Sequence, residues 1–147
     1  MKRKHRRRPD IVRIIDQVTT QISINDERRV VESFSNRCPH REMIPWIRSV
    51  RHANQEEESR KIDIVFLTID AGEINLQIKS STEGVERFCK EQMNGKADMG
   101  IICLVINPGM DHEMIFRKLL PILSWERRAR LKRRRFSMSA EGKENTT

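Results

Sequence analysis

The segments Lys61-Ile62-Asp63-Ile64-Val65-Phe66 and Ile74-Asn75-Leu76-Gln77-Ile78-Lys79-Ser80-Ser81 decide the fold, because they have the pattern of two strands joined by a short turn. In the second segment apolar and polar side chains alternate with the two-residue period of a strand. We expect its apolar face to be buried and its other face to carry the polar side chains of Asn75, Gln77 and Lys79. Asp70-Ala71-Gly72 predicts a glycine-containing turn between antiparallel strands, which brings Asp63 beside Gln77 and Lys79.

Further elements surround this hairpin. Residues 43–51 predict a first strand with Pro45 at a sheet edge, and residues 54–59 predict a polar, solvated loop. A helix over residues 82–93 leads to an unbroken apolar strand over 99–106, a pattern that predicts burial on both faces and parallel pairing with an earlier strand. A helix over residues 111–120 follows, and Pro121 predicts the start of another. The expected order is therefore helix, three strands, helix, strand, helix.

The apolar periodicity predicts which helix faces point inward. After an amphipathic helix that begins at Pro9, a second start signal occurs at Ser23, and Glu27 falls on the same stripe as Ile24, Val31 and Phe34. We therefore expect Glu27 to face inward and Glu32 to face outward. The other side chains that we expect in the core are Trp46, Val85, Phe88, Cys89, Met114, Ile115, Phe116, Leu119 and Trp125.

Charge divides the 147 residues into three regions. Residues 1–8 hold six Lys or Arg and no acid, and residues 126–147 hold eight against three Glu, whereas residues 9–125 hold 15 against 18 acids. We predict a basic N-terminal arm (1–8), one compact domain (9–125) and a basic C-terminal tail (126–147). Such basic arms stay solvated and bind polyanions, which predicts contact with nucleic acid.

Three cysteines that are far apart in sequence argue against a disulfide framework and favour a reducing, cytoplasmic location. Cys38 and His40 supply two metal ligands, but no second pair occurs at zinc-site spacing. No apolar run approaches the ~18 residues that a membrane span needs, and the N-terminus lacks the apolar region of a signal peptide. The sequence predicts a soluble protein that is not exported.

In Asp63, Gln77-Ile78-Lys79 and the order of elements, residues 23–107 resemble the PD-(D/E)XK nuclease superfamily. Thirteen residues lie between Asp63 and Gln77, and Glu27 matches an acidic residue that many members place on the first core helix. The resemblance implies an α/β fold with a restriction-endonuclease-like αβββαβ core, in which helices flank a mixed four-stranded sheet. The sequence departs from the family pattern at Ile62, which replaces a proline, and at Gln77, which replaces an acid as in the Mrr-like restriction enzymes.

The resemblance implies a Mg²⁺- or Mn²⁺-dependent nuclease that hydrolyses DNA and leaves a 5′-phosphate. Its catalytic residues are Asp63, Gln77, Lys79 and Glu27, and its metal ligands are Asp63, Gln77, Glu27 and the Ile78 carbonyl. A divalent cation neutralises charge on the phosphate and lowers the pKa of a bound water, whereas Lys79 orients that water or stabilises the transition state. His52, near the end of the first strand, offers a proton shuttle.

Two other functions stay open: a non-catalytic nucleic-acid-binding protein that retains the nuclease fold, with Gln77 marking a decayed site, and an accessory protein that binds RNA or the ribosome. The partner expected in all cases is nucleic acid, with DNA favoured, and the resemblance leaves a homodimer open. The residues that we expect to contact nucleic acid are Arg6, Arg7, Arg8, Arg87, Lys90, Lys132, Arg133 and Arg134.

Overall fold

The structure, a computed structural model, describes residues 24–35 and 44–144, with side chains described up to residue 138. The elements are a helix over residues 24–33 (α1), β1 (Ile47–His52), α2 (Gln55–Ser59), β2 (Ile64–Thr68), β3 (Glu73–Lys79), α3 (Thr82–Met93), β4 (Ile102–Val105) and α4 (His112–Glu144). The helix predicted to begin at Pro9, and the predictions for Cys38 and His40, lie outside the described residues.

The four strands form one mixed, open sheet in the order β1-β2-β3-β4. The β1–β2 and β2–β3 pairs are antiparallel, and α3 carries the chain across to β4, which pairs with β3 in parallel. The predicted α/β architecture, a mixed four-stranded sheet flanked by helices, is therefore confirmed. The parallel pairing of the last strand is confirmed with it.

The β2–β3 hairpin is held in register by its turn. The backbone N–H and the hydroxyl of Thr68 both donate to the carbonyl of Gly72, and the hydroxyl accepts from the N–H of Ala71. Gly72 has φ +73°, a left-handed conformation that favours glycine. With Ile64 paired to Leu76, Asp63 lies one residue beyond β2 and opposite Gln77.

The larger core lies between one face of the sheet and the helices α1 and α4. Phe34 at the end of α1 is at its centre, with ring centroids 5.0 Å from both Phe66 of β2 and Phe116 of α4. The Phe34 and Phe66 rings meet edge to face, the arrangement that the charge distribution of aromatic rings favours. One side chain therefore joins three elements. The remaining buried members include Val30, Ile64, Ile74, Leu76, Ile115, Leu119 and Leu123.

A smaller core covers the opposite face of the sheet, under α3. Phe88 of α3 is 1% exposed there and packs with Ile62, Val65 and Ile101. Polar side chains of β3 point to this side of the sheet, because they alternate with Ile74, Leu76 and Ile78, which belong to the larger core. The small size of this second core leaves space for a polar site beside it.

The stretch 54–59 is exposed as predicted, except at Glu57, but residues 55–59 form the short helix α2 rather than a loop. Asn54 caps α2 by accepting from the N–H of Glu57, while the Glu57 carboxylate accepts from the N–H of Asn54, which completes a capping box. Glu57 is buried because Arg51 of β1 binds both of its carboxylate oxygens, and this pairing holds its pKa at about 2, well below the usual range.

Predictions about helix ends and exposed apolar residues were also wrong in places. Pro121 lies inside α4 rather than at the start of a new helix, because Leu119 and Leu123 anchor the helix on both sides of it. The predicted strand over 99–106 is shorter, and β4 is an edge strand that is only partly buried. Four predicted core residues are exposed: Ile24, Cys89, Met114 and Trp125.

Helix α4 has 33 residues and crosses the predicted domain boundary at residue 126. Arginines on its second half bind the β2–β3 turn: Arg127 pairs with the Asp70 carboxylate and stacks on Trp46, and Arg130 donates to the carbonyl of Glu73. Part of the basic C-terminal segment therefore fastens α4 to the hairpin. No helix within the described ranges is long and apolar enough to cross a membrane.

Because Phe34 joins α1, β2 and α4, Phe34→Ala should lower the free energy of unfolding by about 3 to 5 kcal/mol. Phe136→Ala, the same change at a side chain that is 68% exposed, is the matched control and should cost less than about 0.5 kcal/mol. Urea denaturation of both variants measures the difference. Equal midpoints for the two variants would contradict this description of the core.

Candidate active site

Asp63 lies where the β2–β3 pairing ends. Its N–H donates to the carbonyl of Leu76, and its side-chain Oδ2 accepts from the N–H of Ile78 at 2.8 Å. Burial raises the pKa of Asp63, and Glu58 adds to this effect, whereas the Ile78 N–H and the Lys79 ammonium act in the opposite direction. The backbone of β3 thus orients one carboxylate oxygen and leaves the other available to a ligand.

Glu27 of α1 is partly buried and lies close enough to Asp63 for the two charges to interact. Burial raises its pKa from the ordinary value of 4.5 to about 7, and the negative charge of Asp63 is the next largest cause. The His52 ring, half exposed at the end of β1, has Nδ1 3.8 Å from Glu27 Oε2. Two carboxylates from different elements therefore converge in a partly desolvated place, where a positive charge would stabilise both.

Sequence reasoning missed Glu58 as a member of this acidic group. Glu58 lies on α2, and its charge raises the pKa of both Glu27 and Asp63. The signal that could have found it is the spacing of Asn54 and Glu57, which forms the capping box and starts the short helix. A loop prediction does not say which way the Glu58 side chain points, whereas the helix α2 fixes its direction.

Lys79, the last residue of β3, lies between Asp63 and α3, and its charge acts on Asp63. Its side chain runs close to Gly84, where an added Cβ would lie 3.2 Å from the Lys79 Cβ, and its Nζ lies 6.0 Å from the centre of the Phe88 ring. Lys79 also lines a cavity of about 380 Å³ with Ser80, Ser81, Arg87 and Glu91 among its walls. The packing against α3 therefore limits where the ammonium can lie.

Gln77 is buried on the polar face of β3, between Asp63 and Lys79. In the orientation that satisfies both ends of its amide, the nitrogen donates to the Lys61 carbonyl and the oxygen accepts from Lys79 Nζ at 3.3 Å. Cys103 of β4 pairs with Gln77 in the sheet, and burial raises the pKa of its thiol to about 11. Cys103 is therefore a neutral thiol rather than a thiolate nucleophile at neutral pH.

The carboxylate oxygens of Glu27 and Asp63 are of the type that hard divalent cations prefer. In the described part of the chain, no three His, Cys, Asp or Glu side chains lie close enough together to hold a metal ion. Mg²⁺ is commonly bound by only one or two carboxylates, with water and substrate phosphates completing its shell. Glu27 and Asp63 supply two carboxylates, and burial, followed by the negative charge of Asp63, raises the pKa of Glu27. The residues present therefore fit Mg²⁺ or Mn²⁺.

The residues predicted to contact nucleic acid fall into separate places. Arg87 lines the cavity beside Lys79, and Lys90 is exposed further along α3. Lys132, Arg133 and Arg134 are exposed on α4, beyond the β2–β3 turn, at the other end of the hairpin from Asp63. The predictions for Arg6, Arg7 and Arg8 lie outside the described residues.

Comparison of the chain with protein-family models, curated proteins and solved structures gave no match.

The raised pKa of Glu27 predicts a pH-dependent stability. Between pH 4.5 and 7 the unfolded chain ionises Glu27 while the folded protein keeps it protonated, so stability falls as pH rises through this window and the loss persists above it. The free energy of unfolding of Glu27→Gln, relative to that of wild type, should therefore be roughly 1 to 2 kcal/mol higher at pH 8 than at pH 4. Thermal denaturation at both pH values measures this gain. Glu86→Gln, the same change at an exposed glutamate of α3, is the control, and an equal gain there would refute the assignment.

Proposed function

We propose that the protein is a metal-dependent nuclease of the PD-(D/E)XK type that hydrolyses phosphodiester bonds in DNA. The observation that carries this proposal is the convergence of Glu27 and Asp63, from α1 and the start of β2, beside the ammonium of Lys79 at the end of β3. Two carboxylates and a lysine supply what this hydrolysis needs: a cation site, a group that acts on water, and positive charge near the phosphate.

In this proposal Asp63 and Glu27 hold Mg²⁺ or Mn²⁺, with the carbonyl of Ile78 as a third oxygen donor. When bound, the cation polarises the phosphate and lowers the pKa of a coordinated water. The Ile78 N–H fixes the orientation of Asp63, so that little rearrangement accompanies binding. Glu58 adds negative potential at Glu27 and Asp63, which attracts a cation to the site.

Lys79 acts on the substrate in this proposal. Its ammonium orients the attacking water or stabilises the charge that builds on the phosphate oxygens. Contacts with Gly84 and Phe88 restrict its stem, and the Gln77 oxygen accepts a hydrogen bond from its Nζ. Gln77 therefore has a role as a positioning residue for Lys79, which an amide performs without adding another negative charge to the site.

One observation favours a second function, a nucleic-acid-binding protein without catalysis. No cluster of three metal-ligating side chains occurs within the described ranges, and the buried Gln77 amide takes the position of an acid. A protein of this kind binds DNA equally well with and without divalent cations and does not cleave it. An RNA- or ribosome-associated role, a homodimer and a cytoplasmic location remain predictions from sequence.

The cleavage experiment uses linear and supercoiled DNA with Mn²⁺ or Mg²⁺, and EDTA as the blank. Lys79→Ala should reduce the cleavage rate by about 100- to 1,000-fold, the usual cost of removing one group that stabilises transition-state charge. Lys96→Ala, at an exposed lysine just after α3, is the matched control and should cleave like wild type. Cleavage that is undiminished in Lys79→Ala, or that persists in EDTA, would exclude the proposed chemistry.

Metal binding is measured separately from cleavage. Mn²⁺ should raise the melting temperature of the wild type, because a ligand that binds only the folded state stabilises it by mass action. Asp63→Asn should lose this shift, whereas Lys79→Ala should keep it, since Lys79 holds no metal. A shift of the same size in Asp63→Asn would place the ion elsewhere and would favour the non-catalytic function.

A further inference from the structure

The second half of α4 leaves the body of the domain as an exposed helix. Leu119 and Leu123 are fully buried in the core, but every residue from 132 to 138 is exposed. The last described attachment is Arg134, which donates to the carbonyl of Asp70 in the β2–β3 turn at 2.7 Å. We call residues 132–138 the α4 arm.

The α4 arm carries positive charge around almost its whole circumference. Lys132, Arg133, Arg134 and Arg135 are consecutive, and steps of about 100° per residue distribute them over roughly 300°. The arm contains no acid. Lys132 and Arg135 have no partner within the described part of the chain, and Arg133 keeps 70% of its side chain exposed although it pairs with Glu126. The segment predicted as a solvated tail is thus a preformed cationic rod.

This charge distribution discriminates among partners. A helix that lies on a lipid surface needs one apolar face, and the arm lacks one because its two exposed apolar side chains, Phe136 and Met138, lie about 200° apart around the helix. A second copy of the arm would bring like charges together. A groove with anionic walls on both sides can pair with basic side chains on opposite sides of the arm. The major groove of B-form DNA has such walls, and its width of about 12 Å admits an α-helix.

We infer that the α4 arm enters the major groove of double-stranded DNA and pairs with phosphates on both of its walls. The inference rests on the proposed function for the identity of the ligand as DNA, and it adds that the ligand is a B-form duplex. Because the arm is already helical, binding does not require the segment to fold, which saves conformational entropy. Arg128, one turn before Lys132, extends the same basic surface toward the domain.

The arm and the candidate active site lie at opposite ends of the β2–β3 hairpin. The seven steps from Asp63 to Asp70 span at most roughly 24 Å, at the strand rise of about 3.4 Å per residue. That distance corresponds to roughly seven base pairs of duplex, at about 3.4 Å per step along each strand. A duplex bound at both places therefore extends about two-thirds of a helical turn to one side of the proposed cleavage position.

The binding test compares the double variant K132Q/R135Q with R60Q/R117Q, a control that removes two positive charges from other exposed positions. Binding is measured in EDTA on a duplex of about 24 base pairs, or two helical turns. K132Q/R135Q should bind about tenfold or more weakly, and its log–log salt dependence should be shallower by about 2, because each lost phosphate contact contributes ~0.9. Equal weakening in the control would refute a specific role for the arm.

A second experiment, on the wild-type protein, tests whether the α4 arm lies in the major groove. RNA duplexes have a deep, narrow major groove that does not admit a helix, so the same sequence as RNA should bind about tenfold or more weakly than as DNA. Bound protein should also protect guanine N7, which faces the major groove, from dimethyl sulfate. Equal affinity for the two duplexes, or unprotected N7, would overturn the inference.

The two proposals fail in different ways. Binding and protection are measured in EDTA, so loss of the proposed chemistry leaves them unchanged. A protein that cleaves with Mn²⁺ but shows no N7 protection retains the proposed function and contradicts the arm. Protection without cleavage contradicts the nuclease and retains the arm. Circular dichroism of K132Q/R135Q checks that α4 stays helical, as glutamine at both positions permits.

Discussion

The register of β2 against β3 is the constraint on which the rest of the structure depends. Pairing Ile64 with Leu76 and Phe66 with Ile74 places all four side chains in the larger core. A slip of one residue would turn these side chains to the opposite face, so burial specifies the register strongly. The same register puts Asp63 beside Gln77 and Ile78. The core and the candidate site are therefore consequences of one pairing.

The buried carboxylates of the candidate site lower the stability of the fold, and packing in the core offsets this loss. Burying Glu27 near Asp63 disfavours its charged form, and this cost appears as a pKa of about 7. Phe34, two turns further along α1, packs against the sheet and α4 and holds the helix in place. Such a carboxylate pair is difficult to explain as a structural feature, because a hydrophobic pair would be more stable. Under the proposed function, the pair is retained because it binds a cation.

Local patterns in the sequence predicted the hairpin, the order of elements apart from α2, and the nearness of Asp63 to Gln77 and Lys79. The alternation in β3 and the glycine of the turn contain this information within a few residues. Glu58 was missed because α2 depends on the tertiary pairing of Arg51 with Glu57, which no periodicity reveals. The attachment of α4 was missed because Arg127 and Arg134 contact Asp70, 57 and 64 residues earlier in the chain. Trp125 was placed in the core although it faces solvent, since a helix of uncertain extent does not fix which face is buried.

The central claim is that Glu27 and Asp63 form a cation site beside Lys79. Anomalous scattering from crystals soaked in Mn²⁺ tests it most directly, because it locates the ion independently of activity. The account predicts a peak bounded by carboxylate oxygens of Asp63 and Glu27, and no peak there in Asp63→Asn crystals. A wild-type map with no ion between these two carboxylates would contradict it.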